Sequence, residues 1–146
     1  MREAVIQLMM ATLSTLGFSI LFYVHPRRLP LASLGGFLTC AVYLVAGHFL
    51  SGELIPNLLG ALVGAGFSDM AARRTKVPVS VYMLPCMIPL VPGGALYEAM
   101  IHMVSGAYAE AVMWGLLALR VAIGIAGGVL AASVVGVLIR PKAKSK

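Results

Sequence analysis

Residues 83–94 read MLPCMIPLVPGG, which sets three prolines and two glycines into one of the most apolar stretches of the chain. In a helix each proline lacks the amide donor and crowds the turn before it. Pro85, Pro89 and Pro92 therefore strip helical partners from the carbonyls of Val81, Pro85 and Ile88. The apolar run around them extends from Pro78 to Val104, about 40 Å as one continuous helix at about 1.5 Å per residue, with its midpoint near Val91. A run of that length crosses a hydrocarbon core about 30 Å thick. The interruption is therefore expected near the bilayer midplane, where lipid offers no hydrogen bonds.

Working outward, the rest of the chain is of the same kind. It has 146 residues, 60% hydrophobic and 11% charged, with a mean hydropathy of +0.97. Soluble domains are about 45–50% apolar and about 25% charged. Five apolar segments are long enough to span, at 4–24, 31–50, 54–72, 78–104 and 113–139. The expected fold is an all-α integral membrane protein with five transmembrane helices, the fourth broken at mid-span by Pro and Gly. Residues 1–139 form a single domain, and 140–146 a basic cytoplasmic tail. The first segment is too long for a signal peptide and is followed by HPRRLP rather than a small-residue cleavage site, so it is expected to be retained.

The net charge of +6 does not point to nucleic acid, because of where the charges lie. Nine of the eleven Lys and Arg cluster at Arg27 and Arg28, at Arg73, Arg74 and Lys76, and at Arg140, Lys142, Lys144 and Lys146. With five spans these clusters share one side, and the loops near Glu53 and Glu110 share the other. The positive-inside rule makes the N-terminus outside and the C-terminus cytoplasmic.

If the fourth span unwinds at Pro92, Gly93 and Gly94 and restarts, the amides of Gly94, Ala95 and Leu96 open a new half-helix with a positive dipole end. Carbonyls before the break supply acceptors. Irregular backbone at this depth persists only when covered by protein or facing a wet cavity. Transporters use such discontinuous helices to hold a carboxylate on the amides and a cation on the freed carbonyls. The alternative is a proline kink that only curves the helix.

Glu98 follows the break by one turn and His102 lies one turn further, while Arg120 sits at a similar depth in the fifth span. An intramembrane acid requires a partner or hydration, and Arg120 and His102 are the natural partners of Glu98. Glu98 reads as a carrier of a proton or a substrate ammonium, or as a structural pair with Arg120. Asp69, four residues before Arg73, reads as an interfacial ion pair. His25 and His48 are near span ends, and Asn57, Tyr82 and Tyr97 are pocket candidates by level.

Small residues at four-residue spacing, Gly60 and Gly64 in the third span and Gly124, Gly128, Ala132 and Gly136 in the fifth, mark close helix packing. Thr12, Thr15 and Ser19 put three hydroxyls on one face, either lining a polar path or bonding back to the preceding turn. Cys40 and Cys86 read as buried free thiols.

Residues 77–106, VPVSVYMLPCMIPLVPGGALYEAMIHMVSG, resemble the C-terminal membrane module of the threonine/serine exporter family. That module is marked by PLVPG and a tyrosine shortly after, matched here by Pro89, Leu90, Val91, Pro92, Gly93 and Tyr97. The basic ARRTKVP before the span and the Gly/Ala-rich last helix are also similar. The family pattern does not extend to Glu98, which rests on its position alone. Some members are single chains with two five-helix halves; this chain is similar to the small subunit of the split form. The resemblance implies export of threonine and serine, driven by the proton motive force, across a bacterial cytoplasmic membrane, with a homologous large membrane subunit as partner. A split relative is associated with succinate export.

Substrate-binding candidates are thus Pro89, Pro92, Gly93, Gly94, Tyr97 and Glu98. The other expected partners are the lipid bilayer, a small amino acid or carboxylate, and possible further copies in a homo-oligomer. No cofactor, metal or nucleic acid is implied. The competing class is a non-transporting scaffold that locks subunits together. An intramembrane enzyme is disfavoured, since no Ser/His, paired Asp or HExxH arrangement occurs.

Overall fold

The computed structural model describes residues 2–50 and 52–138; the basic tail at 140–146 lies outside them. The described residues form six helices: α1 (Arg2–Leu21), α2 (Leu29–Phe49), α3 (Leu54–Thr75), α4 (Ser80–Met87), α5 (Gly93–Val104) and α6 (Tyr108–Leu138). Short 3-10 turns at Pro26–Arg28 and Ile88–Leu90 precede α2 and follow α4. Four of the helices are long and apolar enough to cross a membrane. Counting the bent pair of α4 and α5, with the turn between them, as one broken span brings the number to five.

The helices pack through small residues, because association in lipid depends on close contact rather than on apolar burial. α3 is the centre, lying against α2, α4 and, most extensively, α6. The expected stripe on α6 faces α3. Gly124 lies against the Leu54 carbonyl, Gly128 against the Leu58 carbonyl, and Gly136 beside Asp69. Gly60 and Gly64 face the other way and receive Thr39, Leu90 and Met87.

The hydroxyls of α1 bond back to their own helix: Thr12 to the Leu8 carbonyl at 2.7 Å, Thr15 to Ala11 at 2.8 Å and Ser19 to Thr15 at 2.6 Å. Thr15 and Ser19 are fully buried, Thr15 seated against Gly36, so this face is a packing surface and not a polar path. Cys40 and Cys86 are buried free thiols. Tyr82 is buried too, against Ala32, Ala71 and Ala72, with its hydroxyl 3.1 Å from Thr75 Oγ1. This removes it from the pocket candidates.

Two boundaries differ from the sequence expectation in an informative way. α3 ends at Thr75 and is capped by Lys76, which takes a left-handed conformation (φ 54°) and returns its amide to the Ala72 carbonyl before Pro78 forbids continuation. α6 starts at Tyr108, not at 113, and its first turn includes Glu110, read from the sequence as a loop residue. An acid there complements the positive end of the helix. Since Gly124 already meets the first residue of α3, residues 108–123 extend past α3 and pack on α5 instead.

Asp69 and Arg73 form the expected i, i+4 ion pair at 2.5 Å, and Arg73 Nη2 also donates to the Gly136 carbonyl at 2.9 Å. The same guanidinium therefore ties α3 to α6. The pair is part-exposed, so Arg73→Ala is expected to destabilise by only about 1 kcal/mol. A small fall in thermal midpoint of the purified protein, with export retained, checks this.

Candidate functional site: the break in the fourth span

The three prolines do different things. Pro85 is buried inside α4, which continues past it to Met87. Pro89 stands in the first turn of the 3-10 segment, where a missing amide costs nothing. Pro92 is the cap of α5, at φ −77° and ψ 52°, and there the axis turns by 53°. The break is narrower than the sequence suggested: Val91 and Pro92 alone are outside helical turns.

Backbone accounting refines the expected donors and acceptors. The Val91 amide donates to the Ile88 carbonyl at 3.2 Å, so that carbonyl is not free as expected. The Gly93 amide donates to the Val91 carbonyl at 2.8 Å, and Leu96 to Pro92 at 3.1 Å. Among the described residues the amides of Gly94 and Ala95 have no backbone acceptor. They are the orphan donors of the new helix end.

Leu90 fixes the level of the break. Its side chain is buried and packs on Gly60, which lies about 9 Å along α3 from Leu54 by helical rise. The break is therefore in the Glu53 half of the bundle. A cavity of about 240 Å³ opens there, walled by Pro89, Leu90, Val91, Pro92 and Ala95 on one side and by Tyr43, Glu53 and Asn57 on the other, with Leu117 and Val121 of α6 completing it. That volume is below the roughly 300–1,000 Å³ of drug-sized sites, which suits a small metabolite.

The polar wall is built by local geometry. The Tyr43 hydroxyl, near the end of α2, donates to Glu53 Oε2 at 3.3 Å. Glu53 precedes α3, and its carbonyl accepts the Asn57 side-chain amide at 2.6 Å. Asn57 is 2% exposed, and its Oδ1 has no donor among the described residues. A second cavity of about 340 Å³ lies on the other side of the Tyr43–Glu53 pair, lined by the end of α2 and the loop that includes Gly52.

Of the sequence candidates, the structure places Pro89 and Pro92 in the cavity wall and Gly93 and Gly94 in the first turn of α5 beside it. Tyr97 and Glu98 are elsewhere. Tyr97, 62% exposed, is on the outer side of α5 with Met100 and Ile101. Glu98 is partly exposed and lies 3.8 Å from His102, its i, i+4 neighbour, rather than with Arg120. Glu98→Gln is accordingly expected to leave export within about twofold of the parent, because the one ion pair it makes among the described residues is a weak one on its own helix. Radiolabelled efflux at matched membrane abundance measures it.

Tyr43 and Glu53 were not candidates from sequence. Glu53 reads as an ordinary loop charge, and Tyr43 as one aromatic of an apolar span. The available signal was Asn57, one turn after Glu53 on the same helix face.

Compared with known families, residues 7–135 match the model of the family described as Threonine/Serine exporter, ThrE. No curated protein and no solved structure matches the chain.

Proposed function

Since the chain belongs to the threonine/serine exporter family, and is thus a multi-pass membrane transporter rather than an enzyme, we propose that it is the small subunit of a secondary exporter of threonine and serine. It works by alternating access with a homologous large membrane subunit in a bacterial cytoplasmic membrane. The N-terminus is outside, and the proton motive force drives export. The Glu53 end of the bundle then faces outward and the Arg73 end faces the cytoplasm.

The observation that carries this reading is the break itself: a cavity of metabolite size bounded by a helix end with two unpartnered amides. Such an end is a site for a carboxylate. Pro89 and Pro92 shape it, and Gly93 and Gly94 let a ligand approach the backbone.

The proposal of a partner subunit is supported by what is left uncovered. α5 packs on α6 alone among the major contacts, and Val91, at the break, is 56% exposed. The side chains of Tyr97, Met100, Met103 and Val104 point away from the chain. Irregular backbone within a membrane needs protein or a wet cavity around it, so a second membrane protein against α5 completes the path.

Deleting the chain is expected to raise intracellular threonine and serine several-fold during peptide feeding, with restoration by the full chain. A rise confined to succinate favours the dicarboxylate alternative. No change in any of the three overturns the exporter reading.

A further inference from the structure

Resting on the exporter reading, we propose that Glu53, held by Tyr43, is the acceptor for the substrate's ammonium group. The site at the break therefore selects a zwitterionic amino acid over a dicarboxylate. Three observations converge on it. Glu53 is the one acid in the wall of the break cavity, and among the described residues it meets no cation. Its Oε2 takes the Tyr43 hydroxyl, which leaves Oε1 available. Asn57, which lines the same cavity and is tied to the Glu53 carbonyl through its side-chain amide, has an accessible Oδ1 that meets no donor among the described residues.

The opposite wall carries the complementary chemistry. Ala95 lies in that wall, and its amide, which has no backbone acceptor, is a donor at the positive end of α5; the Gly94 amide is the next one on the same helix end, outside the cavity lining. A ligand spanning the cavity is thus offered donors at one end and acceptors at the other. An α-amino acid presents a carboxylate and an ammonium in that arrangement. A dicarboxylate would bring its second negative charge against Glu53, a like-charge contact that disfavours it.

Tyr43 and Glu53 also stand between the two cavities, since both line the outer as well as the inner one.

The test uses cells expressing the full exporter, with threonine, serine and succinate efflux measured at matched membrane abundance. Glu53→Gln is expected to lower threonine and serine efflux at least about tenfold and to raise the succinate-to-threonine ratio, and Glu53→Asp to restore part of the loss. Tyr43→Phe is expected to raise the apparent KM for threonine several-fold with a smaller change in maximal rate. Threonine efflux by Glu53→Gln within twofold of the parent overturns the assignment.

A measurement on the unaltered protein makes the test independent of whether the variants fold. N-acetyl-threonine, which keeps the carboxylate and hydroxyl but has no ammonium, is expected not to compete with threonine at concentrations where serine does. Equal competition overturns the proposal. An unaltered protein that moves neither threonine nor serine instead overturns the exporter reading on which it rests.

Discussion

Replacing Gly128 with alanine is expected to remove most of the protein from the membrane, whereas the same change one residue earlier is expected to be tolerated. A Cβ at Gly128 meets the Leu58 carbonyl, Ala61 Cβ at 2.8 Å and the Leu62 amide nitrogen at 2.9 Å. These are backbone or a single methyl, so no flexible side chain is available to move aside. α6 must then separate from α3 along their main contact. Overpacking typically costs about 1–3 kcal/mol, and a backbone clash at the centre of a helix pair falls at or above the top of that range. At Gly127 a Cβ meets only Leu58 Cδ1 at 3.6 Å, an ordinary contact. Membrane abundance and thermal midpoint in detergent for Gly128→Ala and Gly127→Ala provide the check, and equal stability of the two sinks the packing account.

The second large effect is expected on transport and not on folding. No atom outside the local chain lies within 4 Å of a Cβ at Gly93 or Gly94, so alanine fits at both. The double change Gly93→Ala, Gly94→Ala favours helix by about 1 kcal/mol per residue. Adding Pro92→Ala removes a further penalty of about 3 kcal/mol and supplies a new amide donor to the chain. The straight helix that results closes the cavity and pairs the amides that a carboxylate needs. Export is expected to fall at least tenfold at normal abundance and with assembly intact. The scaffold alternative requires the reverse, lost assembly in co-purification, because there the break serves only to lock subunits together.

How much of this was legible beforehand follows from the range of each interaction. MLPCMIPLVPGG specified a broken span because proline and glycine act on their own turn of backbone. The Asp69–Arg73 pair and the back-bonded hydroxyls of Thr12, Thr15 and Ser19 were readable for the same reason: each spans one helical turn. The small-residue stripe on α6 announced a close contact but not its partner. Periodicity describes one helix face and carries no information about which helix opposes it.

The residues alone thus specify the apolar spans, a break within the fourth of them and the close-packing face of α6, while the structure narrows the break to Val91 and Pro92. Only the tertiary structure decided which polar groups share the break. It kept Arg120 away from Glu98 and, among the described residues, left it only His102, buried Tyr82 near Thr75, and brought Tyr43 and Glu53 to the wall opposite Pro89 and Pro92. One contact illustrates why: Leu90, in the turn after α4, packs on Gly60 and holds the break at one level of α3, and that level decides which residues of α2 and α3 face it.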